Sequence, residues 1–195
     1  MIKTHSMVLA ELKDYGAPAN KVMRMVHGGE LIPINRGIYE TDRSVAPHLL
    51  AASIYGPSYV SFEYALSYHG LIPERVCVVT SATFEKKKRK TFENAFGTFT
   101  YRDVPSAAFP LGLQVIQEGS YAFRIACPEK ALCDELYKMP PVSGAAELKS
   151  MLYEGLRIDP QGLEALDHEL ILSFEEAYRR TNVRLLCRLV RRGEL

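Results

Sequence analysis

Residues 21–41 read KVMRMVHGGELIPINRGIYET. Val22, Met25 and Val26 recur at helical spacing and mark the inward face of a helix running from Ala17 or Pro18 to His27, which Gly28–Gly29 stops. Beyond it lie two short extended runs around Asn35–Arg36–Gly37. Gly37 takes positive φ at little cost, so a hairpin turn falls there. Upstream, Val8, Leu9 and Leu12 give the apolar face of a shorter helix that begins near Ser6 and that Gly16 can end. Helix, turn, helix and then hairpin is the order of a winged helix-turn-helix, predicted over residues 1–42.

With those apolar residues inward, Asn20, Lys21, Arg24 and His27 lie on the outer side of the second helix. In a major groove, Asn and Arg read base edges while Lys meets phosphate. Arg36 at the hairpin tip then becomes the wing residue touching backbone or minor groove. A solvated helix face with an ordinary turn arginine has the same pattern.

Residues 43–195 read as a mixed α/β domain with a helical C-terminal end, which makes the chain α+β as a whole. Helices are predicted over Pro47–Ile54, from a cap at Ser61 to Gly70, and from Pro128 to Tyr137. Strands are predicted at Val76–Thr80, Thr91–Phe92, Gly97–Tyr101, Leu113–Ile116 and Tyr121–Ala126, the last two flanking Gly119–Ser120 as a hairpin. After Pro140–Pro141 the pattern is helical: Ala145–Leu156, a helix after Asp159–Pro160, and a last one opened by Ser173 and Glu176 at capping-box spacing.

The chain has 195 residues, 47% hydrophobic and 24% charged, which excludes a disordered tail or a fibrous repeat. No apolar run reaches the roughly 18 residues of a membrane span, and the first sixteen residues lack a signal peptide's apolar stretch. Cys77, Cys127, Cys133 and Cys187 form no Cys-x-x-Cys pair and read as reduced thiols of a cytoplasmic protein. A net charge of +1 gives no global case for nucleic acid, so that case rests on local patches.

Two further basic patches stand out. Lys86, Lys87, Lys88, Arg89 and Lys90 fall in a strand-to-strand connection, either a solvated loop tip or a phosphate contact for nucleic acid. Arg180, Arg184, Arg188 and Arg191 or Arg192 form a stripe on the last helix. It is either a match to the helix dipole or a docking surface for RNA or an acidic partner. Phosphate-loop, dinucleotide, nucleophile-elbow and zinc-protease motifs are missing, so no enzyme, cofactor or metal is expected. A divergent metal-dependent nuclease built on Asp103, Glu118 or Glu129 is the weaker reading; Glu129 is better explained by the start of its helix, and His69 as a helix-end or satisfied core histidine.

Several stretches, taken together, resemble the AbiEi-type antitoxins of bacterial abortive-infection toxin–antitoxin systems. They are GGEL at 28–31, RGIY at 36–39, YVSFEYALSYHGLIPE at 59–74, VTSAT at 79–83, the basic run, 97–101, and PEKALCDELY at 128–137. The resemblance implies an N-terminal winged domain that represses its own operon, followed by an antitoxin domain. It implies two partners: operator DNA, bound at paired sites by a homodimer or larger assembly, and a nucleotidyltransferase-like toxin encoded next door. The family places another helix ahead of the one near Ser6, where this sequence has Met1–His5, so the winged unit reads as clipped. A direct complex, competition for the toxin's target and an indirect route to neutralisation all fit the sequence. A stand-alone transcriptional regulator is the alternative.

Overall fold

The structure is a computed structural model that describes residues 1–195. It opens on strand β1 (Lys3–Thr4) and helix α1 (His5–Glu11), which Thr4 caps by accepting the Met7 N–H on its hydroxyl. Helix α2 (Pro18–His27) follows, then β2 (Ile32–Asn35) and β3 (Ile38–Glu40). The first helix therefore ends at Glu11, well before Gly16, because Leu12 turns inward as its buried cap residue. Gly37 holds φ 71° in the hairpin turn, as its sequence position requires. The strands form a sheet of order β1-β3-β2, in which β1 was not apparent from sequence.

A short 3₁₀ turn at Pro47–Leu50 continues into α3 (Ala51–Ile54). A six-stranded sheet follows, built from β4 (Ser58–Val60), β5 (Val79–Thr83), β6 (Lys90–Asn94), β7 (Gly97–Asp103), β8 (Leu113–Glu118) and β9 (Tyr121–Ala126). Its order is β6-β7-β5-β4-β9-β8, with β5/β7 and β4/β9 parallel and the other neighbours antiparallel. The strand expected at Val76–Thr80 lies at Val79–Thr83 instead. Pairing of Val79–Thr83 with Phe99–Asp103 and of Ser58–Val60 with Ser81–Thr83 fixes that register, leaving Cys77 and Val78 outside the sheet.

Helices α4 (Phe62–Tyr68) and α5 (Pro128–Lys138) pack together beside the sheet. Helix α6 (Ala145–Ser150) runs into a wider turn at Met151–Gly155, and α7 (Pro160–Glu164), α8 (His168–Ser173), α9 (Glu175–Tyr178) and α10 (Thr181–Arg191) complete the chain. The capping box at Ser173–Glu176 does not form. Ser173 ends α8 and donates its hydroxyl to the Leu170 carbonyl. Arg179, left-handed at φ 47°, then breaks the path before α10 begins at Thr181.

Because neighbours cover α5 on every side, residues 129–136 are all buried, and its polar groups must find partners inside. Lys130 Nζ lies 2.8 Å from Asp134 Oδ1 and donates to the Tyr178 hydroxyl, which itself donates to Asp134 Oδ1 at 2.6 Å. On the other carboxylate oxygen, Asp134 accepts from Tyr59 at 2.9 Å and from Ser61 at 2.6 Å. Ser61 thus sits at the cap position of α4 but spends its hydroxyl on the sheet-to-helix network, and the Thr80 hydroxyl accepts the Tyr64 N–H at 3.1 Å in its place. Gly112 passes so close that a Cβ there would stand 2.8 Å from Phe174 and 3.0 Å from Lys130, at a backbone φ of 60°.

The apolar interior is unequal. Val8, Leu12, Val22 and Leu31 are the only buried members of the small core under α1 and α2, with Leu9, Met25, Val26 and Tyr39 packed against them, whereas 40 buried residues, Ile34 among them, form the large one. So small a core leans on its neighbour. Asn35 Nδ2 donates to the Ile54 carbonyl at 2.6 Å and Asn94 Nδ2 to the Ile34 carbonyl at 2.9 Å, clamping the hairpin onto the larger sheet.

Removing one member of the Lys130–Asp134 pair strands a buried charge, so Lys130→Met and Asp134→Leu should each cost about 3–5 kcal/mol in urea unfolding. Lys130→Met/Asp134→Leu should lose clearly less than the two single losses combined. Additivity within about 0.5 kcal/mol would mean that the pair is not coupled.

Candidate nucleic-acid interface

Helix α2 turns Val22 into the small core, with Met25 and Val26 half-buried beside it, and leaves Asn20, Arg24 and His27 exposed. Met23 joins that outer face at 60% exposure, an apolar group which the sequence reading passed over. Lys21 is half-buried, its ammonium 5.9 Å above the ring of the exposed Tyr15. His27 Nδ1 lies 2.8 Å from the Met23 carbonyl, which fixes its ring along the helix.

Arg36 projects from the β2–β3 turn and is exposed, and the turn beneath it is held firmly. Its own N–H donates to Asn35 Oδ1 at 2.7 Å, and the His5 N–H donates to the Gly37 carbonyl at 2.8 Å. Between helix and hairpin runs a groove of about 560 Å³, with Met23, Val26 and His27 on one wall and Pro33, Arg36 and Tyr39 on the other. Lys21, Arg24 and Arg36 make no ion pair, so their charge is open to an anionic partner.

The second basic patch is more built than its sequence suggests. Lys86–Arg89 form the β5–β6 connection and Lys90 opens β6. Asp103 anchors the connection, accepting from the Lys87 N–H and the Thr83 hydroxyl, while Glu85 accepts from Ser106 at 2.8 Å. Lys86 turns away to lie 5.3 Å over the Tyr55 ring. Lys87, Lys88 and Arg89 instead meet Arg102 of β7 and Lys138 of α5 around one basin. Arg102 and Lys138 were missed by the sequence reading; only the pairing of β5 with β7 and the packing of α5 bring them there.

The arginine stripe divides. Arg184 and Arg188 are exposed on α10 and make no ion pair, whereas Arg191 is held by Glu175. Arg180 precedes the helix rather than riding on it, and its guanidinium lies 5.8 Å over the Tyr137 ring, beside Lys138. Burial lowers the pKa of Lys138, and the cations Arg102 and Arg180 push it the same way against the pull of Asp103.

The carboxylates weighed for catalysis each serve a different contact. Asp103 ties down the basic loop, Glu118 faces His48 Nε2 at 3.1 Å, and Glu129 accepts the Asp167 N–H at 3.0 Å. No group of three or more His, Cys, Asp or Glu side chains is placed to hold a metal ion. His69 Nε2 donates to the Ala126 carbonyl at 2.8 Å, the satisfied role open to it.

Beneath the basin, Arg102 pairs with Glu63 and lies 3.9 Å from Glu135 Oε2. Burial, reinforced by Glu63 and opposed by Arg102, pushes the Glu135 carboxyl up to about 7. A carboxyl raised in the folded state holds a proton that the unfolded chain has already released, so stability falls as pH rises from about 4.5 to 7. Glu135→Gln should therefore gain about 1–3 kcal/mol at pH 8 and leave stability at pH 4 nearly unchanged. Urea unfolding at both pH values checks this, and an equal shift at both would place the effect in packing instead.

No family model matches the chain, and no curated protein matches it.

Proposed function

We propose that this protein is a DNA-binding antitoxin of the AbiEi type. Its N-terminal unit is a winged helix-turn-helix that binds operator DNA of its own operon, with two copies on paired sites. Its larger unit counters a nucleotidyltransferase-like toxin from the adjacent gene. The chain itself carries out no catalysis.

One observation carries the DNA-binding half. Asn20, Arg24 and His27 stand exposed on the face of α2 opposite Val22, with Arg36 on a pinned hairpin across the groove. The order β1-α1-α2-β2-β3, with β1 against β3, supports the winged-unit reading. In this reading Asn20 and Arg24 meet base edges, Lys21 meets phosphate, and Arg36 meets the backbone or minor groove.

The antitoxin half rests on the resemblance and on what its stretches do together. Tyr59 and Ser61 belong to one matched stretch, Lys130 and Asp134 to another, and they meet around a single buried carboxylate. Stretches that are weak separately thus belong to one physical unit.

Two measurements on the full-length protein test the two halves. Lys21→Ala/Arg24→Ala should weaken binding to the upstream DNA of its operon at least about tenfold and flatten the salt dependence. Unchanged affinity would remove α2 as the reading helix. In growth assays, inducing the adjacent gene should arrest cells, and this chain should rescue them, with or without the double substitution. A toxic neighbour that the chain does not rescue, alongside retained promoter binding, would leave a plain transcriptional regulator.

A further inference from the structure

The basin beside the β5–β6 connection lies outside the winged unit, and the proposed operator contacts use none of its residues. Lys87, Lys88, Arg89, Arg102 and Lys138 line it, and Asp103 is its one carboxylate. Both Asp103 oxygens are already engaged, one by the Thr83 hydroxyl and one by the Lys87 N–H. Arg102 is paired with Glu63, but Lys87, Lys88, Arg89 and Lys138 have no ion-pair partner.

Like charges gathered from three elements repel one another, so the arrangement is stabilised when an anion enters. Its backbone is set in advance: Glu85 and Lys87 hold φ values of 51° and 54°, and both flanks of the turn are tied down by side chains. The opening holds about 500 Å³, within the range of ligand sites, and no hydrophobic residue lines it. A protein partner would want an aromatic or aliphatic anchor, which is missing here. A phosphate wants what is present, compact ammonium charges beside a guanidinium fork.

The surroundings extend the site into a track. Beyond Lys138 stands Arg180, then Arg184 and Arg188 along the exposed face of α10. No aromatic ring lines the basin itself, and Tyr137 beside it already carries Lys138 and Arg180 over its ring, so the site's own chemistry is phosphate contact and not base stacking. We infer that the basin and the arginines of α10 form a second nucleic-acid site, which binds the phosphodiester backbone of a strand without reading its sequence.

The test uses full-length protein carrying Lys21→Ala/Arg24→Ala, so that α2 contributes little. Fluorescence anisotropy follows a labelled random-sequence 20-mer, as single-stranded RNA and as duplex DNA, over a salt series. Binding is expected, and adding the exposed changes Lys88→Glu/Arg89→Glu should weaken it at least about tenfold and reduce the salt slope by roughly two. Lys138→Gln should weaken it less, and both variants should keep the parent's thermal melting temperature. Arg75→Glu/Arg157→Glu makes the same change in total charge away from the basin and should leave binding within about twofold. Equal weakening by both charge-reversed doubles, or no binding of either 20-mer, would overturn the site as a strand-binding surface. Tripolyphosphate serves as the free-phosphate probe. If it binds while neither 20-mer does, and Lys88→Glu/Arg89→Glu abolishes it, the phosphate site stands and the strand is overturned as its ligand. Because α2 is disabled throughout, failure here leaves the operator reading untouched.

Discussion

The Asp134 carboxylate, sealed inside the larger unit, holds together three parts of the chain far apart in sequence. Tyr59 and Ser61 reach it from β4 and the residue beyond, Lys130 from its own helix, and Tyr178 from the C-terminal helices. A buried carboxylate with fewer donors would be costly, and so would a buried ammonium with no carboxylate. Each group makes the other tolerable, and the hydroxyls take up the remaining lone pairs. The arrangement also imposes direction, since the hydrogen bonds form only when β4, α5 and α9 stand in one mutual position.

The outer electrostatics follow from that inner constraint. Tyr178 is fixed by Asp134 and Lys130, so the turn at Arg179 begins from a fixed point. Arg179 reverses the chain direction in the left-handed region, and Arg180 consequently lands over Tyr137, at the end of the helix that carries Asp134. Lys138 ends that same helix and lines the basin. A network that touches no solvent therefore places two cations of the surface track. The net charge of +1 conceals this, because acidic residues are consumed in ion pairs while Lys87, Lys88, Arg89 and Lys138 of the basin and Arg180, Arg184 and Arg188 beyond it stay unpaired.

What could be read in advance had a local cause. Pro18 and Gly28 bound α2, Gly37 sets its hairpin, and Pro128 opens α5; each signal lies within a few residues of the element it governs. The misplacements share a non-local cause. Ser58–Val60 is too short a run to register as a strand, yet it is one of the two central strands of the sheet, held by neighbours on both sides. Val76–Val78 has every β-branched credential but no strand to pair with, so the sheet starts at Val79. Ser173 and Glu176 have the spacing of a cap, but the last helix starts after the turn that Tyr178 dictates. In the candidate interface, Asn20, Arg24, His27 and Arg36 were legible because helical period and turn chemistry decide their exposure. Arg102 and Lys138 were not, since nothing local says which strand or helix end borders the lysine loop.

The two units are also less separable than a boundary near residue 42 suggests. With only four buried apolar side chains of its own, the small core cannot fix the angle between α2 and the hairpin unaided. Ile34 solves this by belonging to the large core while its strand carries the turn that ends in Arg36. Asn35 then ties the turn to the Ile54 carbonyl, and the next residue, Tyr55, lies under Lys86 and against Phe92. The path from hairpin tip to lysine loop thus runs through packed rings and one hydrogen bond, with no flexible linker between. An anion held at the loop and a duplex held at the hairpin would therefore press on one continuous set of packed contacts.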